Sequence, residues 1–222
     1  MQKLLKAWRR CQINLRANLV AGLVIWSLGA GIFWGYENSK AFERFLNHTA
    51  ELKNQYGYLY SAISTSLFGG VLPFLLLLLR QGIMRNRIVS WFLFFSIFWA
   101  IKGIEVDAFY RLQSYFLGNS SNWKTVSAKV FIDQFIYCVF WSAPLTALFY
   151  GWKDSDFCWA KVRVLKDVGV LVDESLFLLV STWIIWIPAV SIIYSMPANL
   201  QIPLFNLTLC FFVLVITISG KD

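Results

Sequence analysis

Six charged residues fall where the chain is otherwise apolar: Lys102, Glu105, Asp107, Arg111, Lys129 and Asp133. Their charges cancel, and their spacings are helical: Lys102 and Glu105 are i, i+3, while Asp107 and Arg111, and Lys129 and Asp133, are i, i+4. Charge at the centre of a membrane helix costs about 2.5–3.5 kcal/mol per residue on insertion scales, so it is kept where it is paired or lines water. The six are therefore either intrahelical pairs near a membrane interface or, with Gln113, Ser114 and Gln134, a polar path between two helices. No other part of the chain carries a catalytic pattern. G-x-S-x-G, P-loop, H-E-x-x-H and G-x-G-x-x-G signatures are missing, and no enzyme is expected. His48 is the single histidine, and Cys11, Cys138, Cys158 and Cys210 have no paired spacing. Neither a metal site, a disulfide framework nor a cofactor is expected.

The elements that position these residues are set by the gaps between charges. Of 222 residues, 58% are apolar and 14% charged, against about 25% charged in a soluble domain, and the mean hydropathy is +0.59. An ordinary soluble domain is excluded. A bilayer core of about 30 Å needs about 20 mostly apolar residues in a helix. Charge-free runs cover Ala17–Tyr36, Asn54–Leu79, Ile88–Ile101, Gln134–Trp152 and Ser175–Gly220. The last, 46 residues long, holds two spans divided at Met196–Pro203, where two prolines bracket polar residues. Ile88–Ile101, with 14 residues, reaches bilayer thickness only by continuing through Lys102, Glu105, Asp107 and Arg111. The expectation is an all-α integral membrane protein, a single domain over residues 1–222, with about six helices near 17–36, 58–79, 88–112, 128–151, 175–196 and 203–219. Two further stretches have the pattern of interfacial helices. Lys40–Lys53 places Phe42, Phe45, Leu46, Thr49 and Leu52 on an apolar side with Lys53 opposite, and Asp156–Leu171 is similarly amphipathic.

With the N-terminus in the cytoplasm, thirteen of the 20 Lys and Arg lie inside, five outside, and Lys102 and Lys129 at span depth. That bias accounts for a net charge of +8 without nucleic acid. The lipid bilayer is the expected partner, and a homo-oligomer is left open. The basic start, Met1–Arg16, is not read as a secretory signal, because the apolar run after it lacks a small-residue cleavage site. A bacterial inner membrane is the first expectation and a mitochondrial inner membrane the alternative, since no acid precedes Glu37. Small residues at Ser27, Gly31 and Gly35, and at Ser61, Thr65 and Gly69, repeat every four positions as contact stripes. Pro73, Pro144 and Pro188 fall inside spans, where each favours a kink.

Gly103-Ile-Glu-Val-Asp107-Ala-Phe109-Tyr110 has a glycine, a polar residue four positions on, and then an aromatic pair. Lys129-Val-Phe-Ile-Asp133-Gln134 and Trp183-Ile-Ile-Trp186-Ile-Pro188 add a lysine with an Asp-Gln pair and a tryptophan–proline motif. Together these resemble the family known as Mpv-seventeen, or the twenty-two-kilodalton peroxisomal membrane proteins, with Asp107 at the usual histidine position and Phe109 at the usual tryptophan. The pattern departs at Val139 and Phe140, where that family has proline, and at Ile187, inserted between Trp186 and Pro188. The resemblance implies a small integral protein forming a weakly selective pore for small solutes. Such a pore would be lined by Asp107, Lys129, Asp133 and Gln134, with Lys102, Glu105 and Arg111 at its outer mouth. The alternative is a non-conducting structural or accessory membrane protein.

Overall fold

The computed structural model describes residues 22–79 and 85–219, with the side chains of 85, 180–182 and 213–219 outside the described set. Among the described residues the chain is built of helices and has no strand. They are α1 (22–38), α2 (Lys40–Tyr56), α3 (Tyr58–Leu79), α4 (Ile88–Leu117), α5 (Trp123–Asp154), α6 (Val168–Ser195) and α7 (Gln201–Ser219). Three of them, α3, α4 and α5, are long and apolar enough to cross a membrane. A fourth crossing is reached if the halves of α6, Val168–Leu179 and Trp183–Ser195, form one span bent by 59°. That is fewer than the six expected from sequence. The start of the 17–36 stretch lies outside the described residues, and Ala198–Phe212 is short for a span. The outward side of α4 carries Val89, Leu93, Ile97, Ile101 and Ile104, all exposed and spaced one helical turn apart, as a lipid-facing stripe requires.

Helix starts follow local chemistry. Ser39 caps α2 by accepting from Phe42 N, Asn122 caps α5 by accepting from Thr125 N at 2.9 Å, and Asp167 caps α6 by accepting from Gly169 N at 2.8 Å. Proline acts less by kinking than by widening. A proline lacks the N–H that closes an α-turn and crowds the carbonyl four residues back. Just ahead of Pro73, α3 opens into a π-helical stretch at Ser66–Val71, and ahead of Pro144, α5 does the same over Ile132–Ser142. The second of these stretches carries Asp133, Gln134, Tyr137 and Cys138.

Two expectations about surface helices are corrected. The Lys40–Tyr56 helix forms, but its buried face is Leu46, Ala50 and Lys53, whereas Phe45 is exposed. These three buried positions, spaced four and three apart, form a helical stripe with the lysine inside it. The Asp156–Leu171 helix does not form. Asp156 and Phe157 take positive φ, and a short helix at Arg163–Lys166 lies between the extended Val162 and Asp167. Phe157 instead packs into an aromatic cluster with Phe94 and Trp152, and Arg87 pairs with Asp156 at 2.6 Å. The turn is kept because it buries that ring.

The two small-residue stripes have different fates. Ser61, Thr65 and Gly69 are buried and pack α3 against α4 and α7, where Thr65 donates to Asn206 at 2.8 Å and Asn206 donates to Ser64 at 2.7 Å. Ser27 and Gly31 on α1 are exposed. At Gly103 of α4 the approach is closest: a Cβ there would lie 2.2 Å from the Ser61 carbonyl oxygen and 2.7 Å from Thr65. Backbone cannot yield that distance without separating the helices. Gly103→Ala should therefore cost about 1–3 kcal/mol and lower the midpoint of thermal unfolding in detergent. Gly31→Ala, whose Cβ would meet nothing within 4 Å, should not lower that midpoint, since alanine is the better helix former.

Candidate functional site

The polar interior divides into two nodes on opposite sides of α4. The first is centred on Asp107, which is 2% exposed. Gly57, with φ of 54°, makes the tight turn from α2 into α3, and Lys53 and Ser61 lie one helical turn before and after it. Both reach the same carboxylate oxygen: Lys53 Nζ is 2.6 Å and Ser61 Oγ 2.7 Å from Asp107 Oδ2. Arg111 donates from Nε to Oδ1 at 3.0 Å and lies over the Tyr58 ring. Burial lowers the Lys53 ammonium below its ordinary range, and the bond and charge of Asp107 pull it back. The predicted Asp107–Arg111 pair is thus present but incomplete, because Lys53, assigned from sequence to the outer surface, is the buried partner.

The second node lies between α4, α5 and α6. Lys102 donates to Glu105 at 2.8 Å and to Ser142 Oγ at 3.1 Å, and Tyr137 also donates to Glu105. Lys102 and Glu105 therefore pair as their spacing predicts, with both charges answered. The predicted Lys129–Asp133 pair does not form. Lys129, 1% exposed, turns toward Ser114 Oγ at 3.4 Å and the Tyr194 ring. Asp133 instead accepts from Tyr194 at 2.6 Å and from Gln134 at 3.2 Å, with the Cys138 thiol at 3.5 Å. The π-helical widening of α5 starts between the two partners, at Ile132, and alters the face that i, i+4 residues would share. Gln113 is buried with its amide unpartnered among the described residues.

A cavity of about 760 Å³ extends from this second node, enclosed by α4, α5, α6 and α7. Along α5 its lining runs from Asp133 to Asp154, roughly 30 Å at helical rise and near the thickness of a bilayer core. Asp133, Gln134 and Lys102 line it. Asp107, Arg111, Glu105 and Lys129 do not, so the seven predicted pore residues are not brought to one wall. Asp154, Ser155, Arg163 and Glu174 stand at one end. At the other end, Tyr110, which lines the cavity, and Tyr194 belong to an apolar cluster with Val126, Val130, Met196 and Leu200, into which α2 inserts Leu46 and Ala50. A second groove of about 520 Å³ lies on the other side of Lys102, between α4 and α5, and includes Glu105, Trp141 and Phe149.

The family-motif positions have physical roles here. Gly103 permits the α3–α4 approach, Phe109 stacks on Tyr137 at 4.1 Å, Tyr110 packs on Tyr194 at 5.0 Å, and Trp186 lines the cavity against Phe205. Pro188 lies inside α6, in its second half. Sequence reasoning missed Lys53, Ser61 and the tyrosines. Lys53 was detectable from its place on the Leu46–Ala50 face, and Ser61 from its stripe, whereas the tyrosines pair with the carboxylates across helices. Compared with family models, curated proteins and solved structures, the chain finds no match.

The Asp107 node should behave as structure rather than as a site. Asp107→Ala leaves the Lys53 cation buried without its counter-charge and should cost about 3–5 kcal/mol, read as loss of the monodisperse detergent-solubilised protein on mild heating. Replacing both partners, Lys53→Met with Asp107→Leu, should recover most of that loss, because an apolar pair leaves no uncompensated buried charge, the Arg111 side chain being half exposed.

Proposed function

We propose that the protein is an integral membrane protein that passes small solutes, with weak selectivity, along the cavity between α4, α5, α6 and α7. The observation that carries this reading is the reach of that cavity: its lining follows α5 from Asp133 to Asp154, about the depth of a bilayer, with polar side chains at both ends. The resemblance to the Mpv-seventeen family adds support, since a weakly selective pore is what it implies. In this proposal α1 and α7 also cross, giving six spans, and the positive-inside bias puts the Asp154 end in the cytoplasm of a bacterial inner membrane. Asp133, Gln134 and Lys102 face the solute, while Asp107, Arg111, Glu105 and Lys129 hold the walls. The path is closed at the α2 end, where Leu46 and Ala50 sit in the apolar cluster over Tyr110 and Tyr194. That closure is also the one observation favouring a non-conducting accessory protein.

Efflux decides between these readings. Liposomes containing the purified protein should release entrapped potassium, a small sugar and a small dye faster than protein-free vesicles. Ala147→Trp, which adds a large ring to the cavity wall, should reduce release several-fold if the variant melts like the parent. Wild-type protein that is folded in the vesicles yet releases none of the three would leave the accessory role.

A further inference from the structure

Three features of the cavity converge at its Asp133 end. The Asp133 carboxylate, 4% exposed, lies on the cavity wall and, among the described residues, accepts from the neutral donors Tyr194, Gln134 and Cys138. The cations nearby are otherwise engaged: Lys102, which also lines the cavity, is paired with Glu105 at 2.8 Å and lies over the Tyr137 ring, and Lys129 is turned to Ser114 and the Tyr194 ring and does not line the cavity. The same cavity is rich in aromatic side chains, with Tyr110, Tyr137, Trp183 and Trp186 all in its lining. Ring faces carry negative potential and attract cations within about 6 Å of their centroids, most strongly where water is thin. A buried carboxylate with no counter-cation among the described residues, on the wall of an aromatic-lined space of about 760 Å³, has the chemistry of a site for an organic cation.

We infer that the Asp133 end of the cavity binds organic cations of the quaternary-ammonium type. Asp133 supplies the charge, and the aromatic lining of the cavity supplies the desolvated wall. This rests on the reading of the cavity as a solute path and names the class of solute the path favours. A hydrated metal ion fits less well, because aromatic walls cannot replace its water ligands and among the described residues no metal-binding group of His, Cys, Asp and Glu is present.

The test uses three water-soluble aromatic probes of similar size and different charge: benzyltrimethylammonium, benzyl alcohol and benzenesulfonate. Titration calorimetry on the detergent-solubilised full chain should give a dissociation constant for the ammonium about tenfold or more below those of the other two. Asp133→Asn should abolish that preference while leaving any binding of benzyl alcohol unchanged. The charge series on wild-type protein stands by itself if the variant does not fold. Equal binding of all three probes, or tighter binding of the sulfonate, overturns the inference. Liposome efflux keeps the two readings apart. Ammonium binding that depends on Asp133 in a protein that releases nothing supports the cation site and removes the pore. Solute release with no preference for the ammonium keeps the pore and removes the cation site.

Discussion

A carboxylate withdrawn from water needs donors wherever it goes, and the burial of Asp107 determines how three helices meet. Its two oxygens take hydrogen bonds from Lys53 on α2, Ser61 on α3 and Arg111 on α4. Each donor is placed by a separate local feature. The positive φ of Gly57 folds α2 back onto α3, and the missing side chain of Gly103 brings α3 against α4. With the node assembled, α2 lies across one end of the bundle and its Leu46 and Ala50 complete the apolar cluster there. The packing of that cluster is thus tied to a salt bridge some distance from the cavity wall.

The other charges are handled by different means. Lys102 and Glu105 neutralise each other and gain Ser142 and Tyr137 as further partners, which makes them a fixed part of the α4–α5 seam. Asp133 is met only by neutral groups. Neutral donors satisfy a carboxylate's lone pairs without cancelling its charge, so the field of Asp133 persists into the cavity. The π-helical stretch before Pro144 contributes to this difference, since it turns Asp133 and Gln134 inward while Lys129, just ahead of it, turns to Ser114. The π-helical stretch therefore links backbone geometry to the electrostatics of the cavity.

Aromatic side chains set the size of the space. Tyr150, Trp99, Trp183, Trp186 and Phe205 come from four helices and line the cavity, and their rings make contacts among themselves or with neighbours such as Phe94 and Phe135. Flat, rigid groups of this kind hold helices apart where aliphatic side chains would let them close. The high aromatic content, 18% of the chain, thus serves the inside of the bundle as well as its exposed surface, where Trp34, Trp123 and Phe140 stand.

The sequence by itself determined the class and most of the helices. Composition excluded a soluble domain, and the charge-free runs marked α3 and α4 closely, because the length of an apolar helix answers to the thickness of a bilayer and to nothing else in the chain. It also determined the Lys102–Glu105 pair and the α3 stripe, whose partners lie within one helical turn or follow a fixed four-residue spacing. Only the tertiary structure decided that Lys53 is buried, that Lys129 and Asp133 part, and that Asp107 and Asp133 serve opposite sides of α4. Those outcomes depend on residues 46 to 61 positions away along the chain and on the π-helical widening of α5, neither of which leaves a periodic trace. Local spacing encodes which residues share a face, whereas the compensation of a buried charge is settled by whichever helix packs against that face.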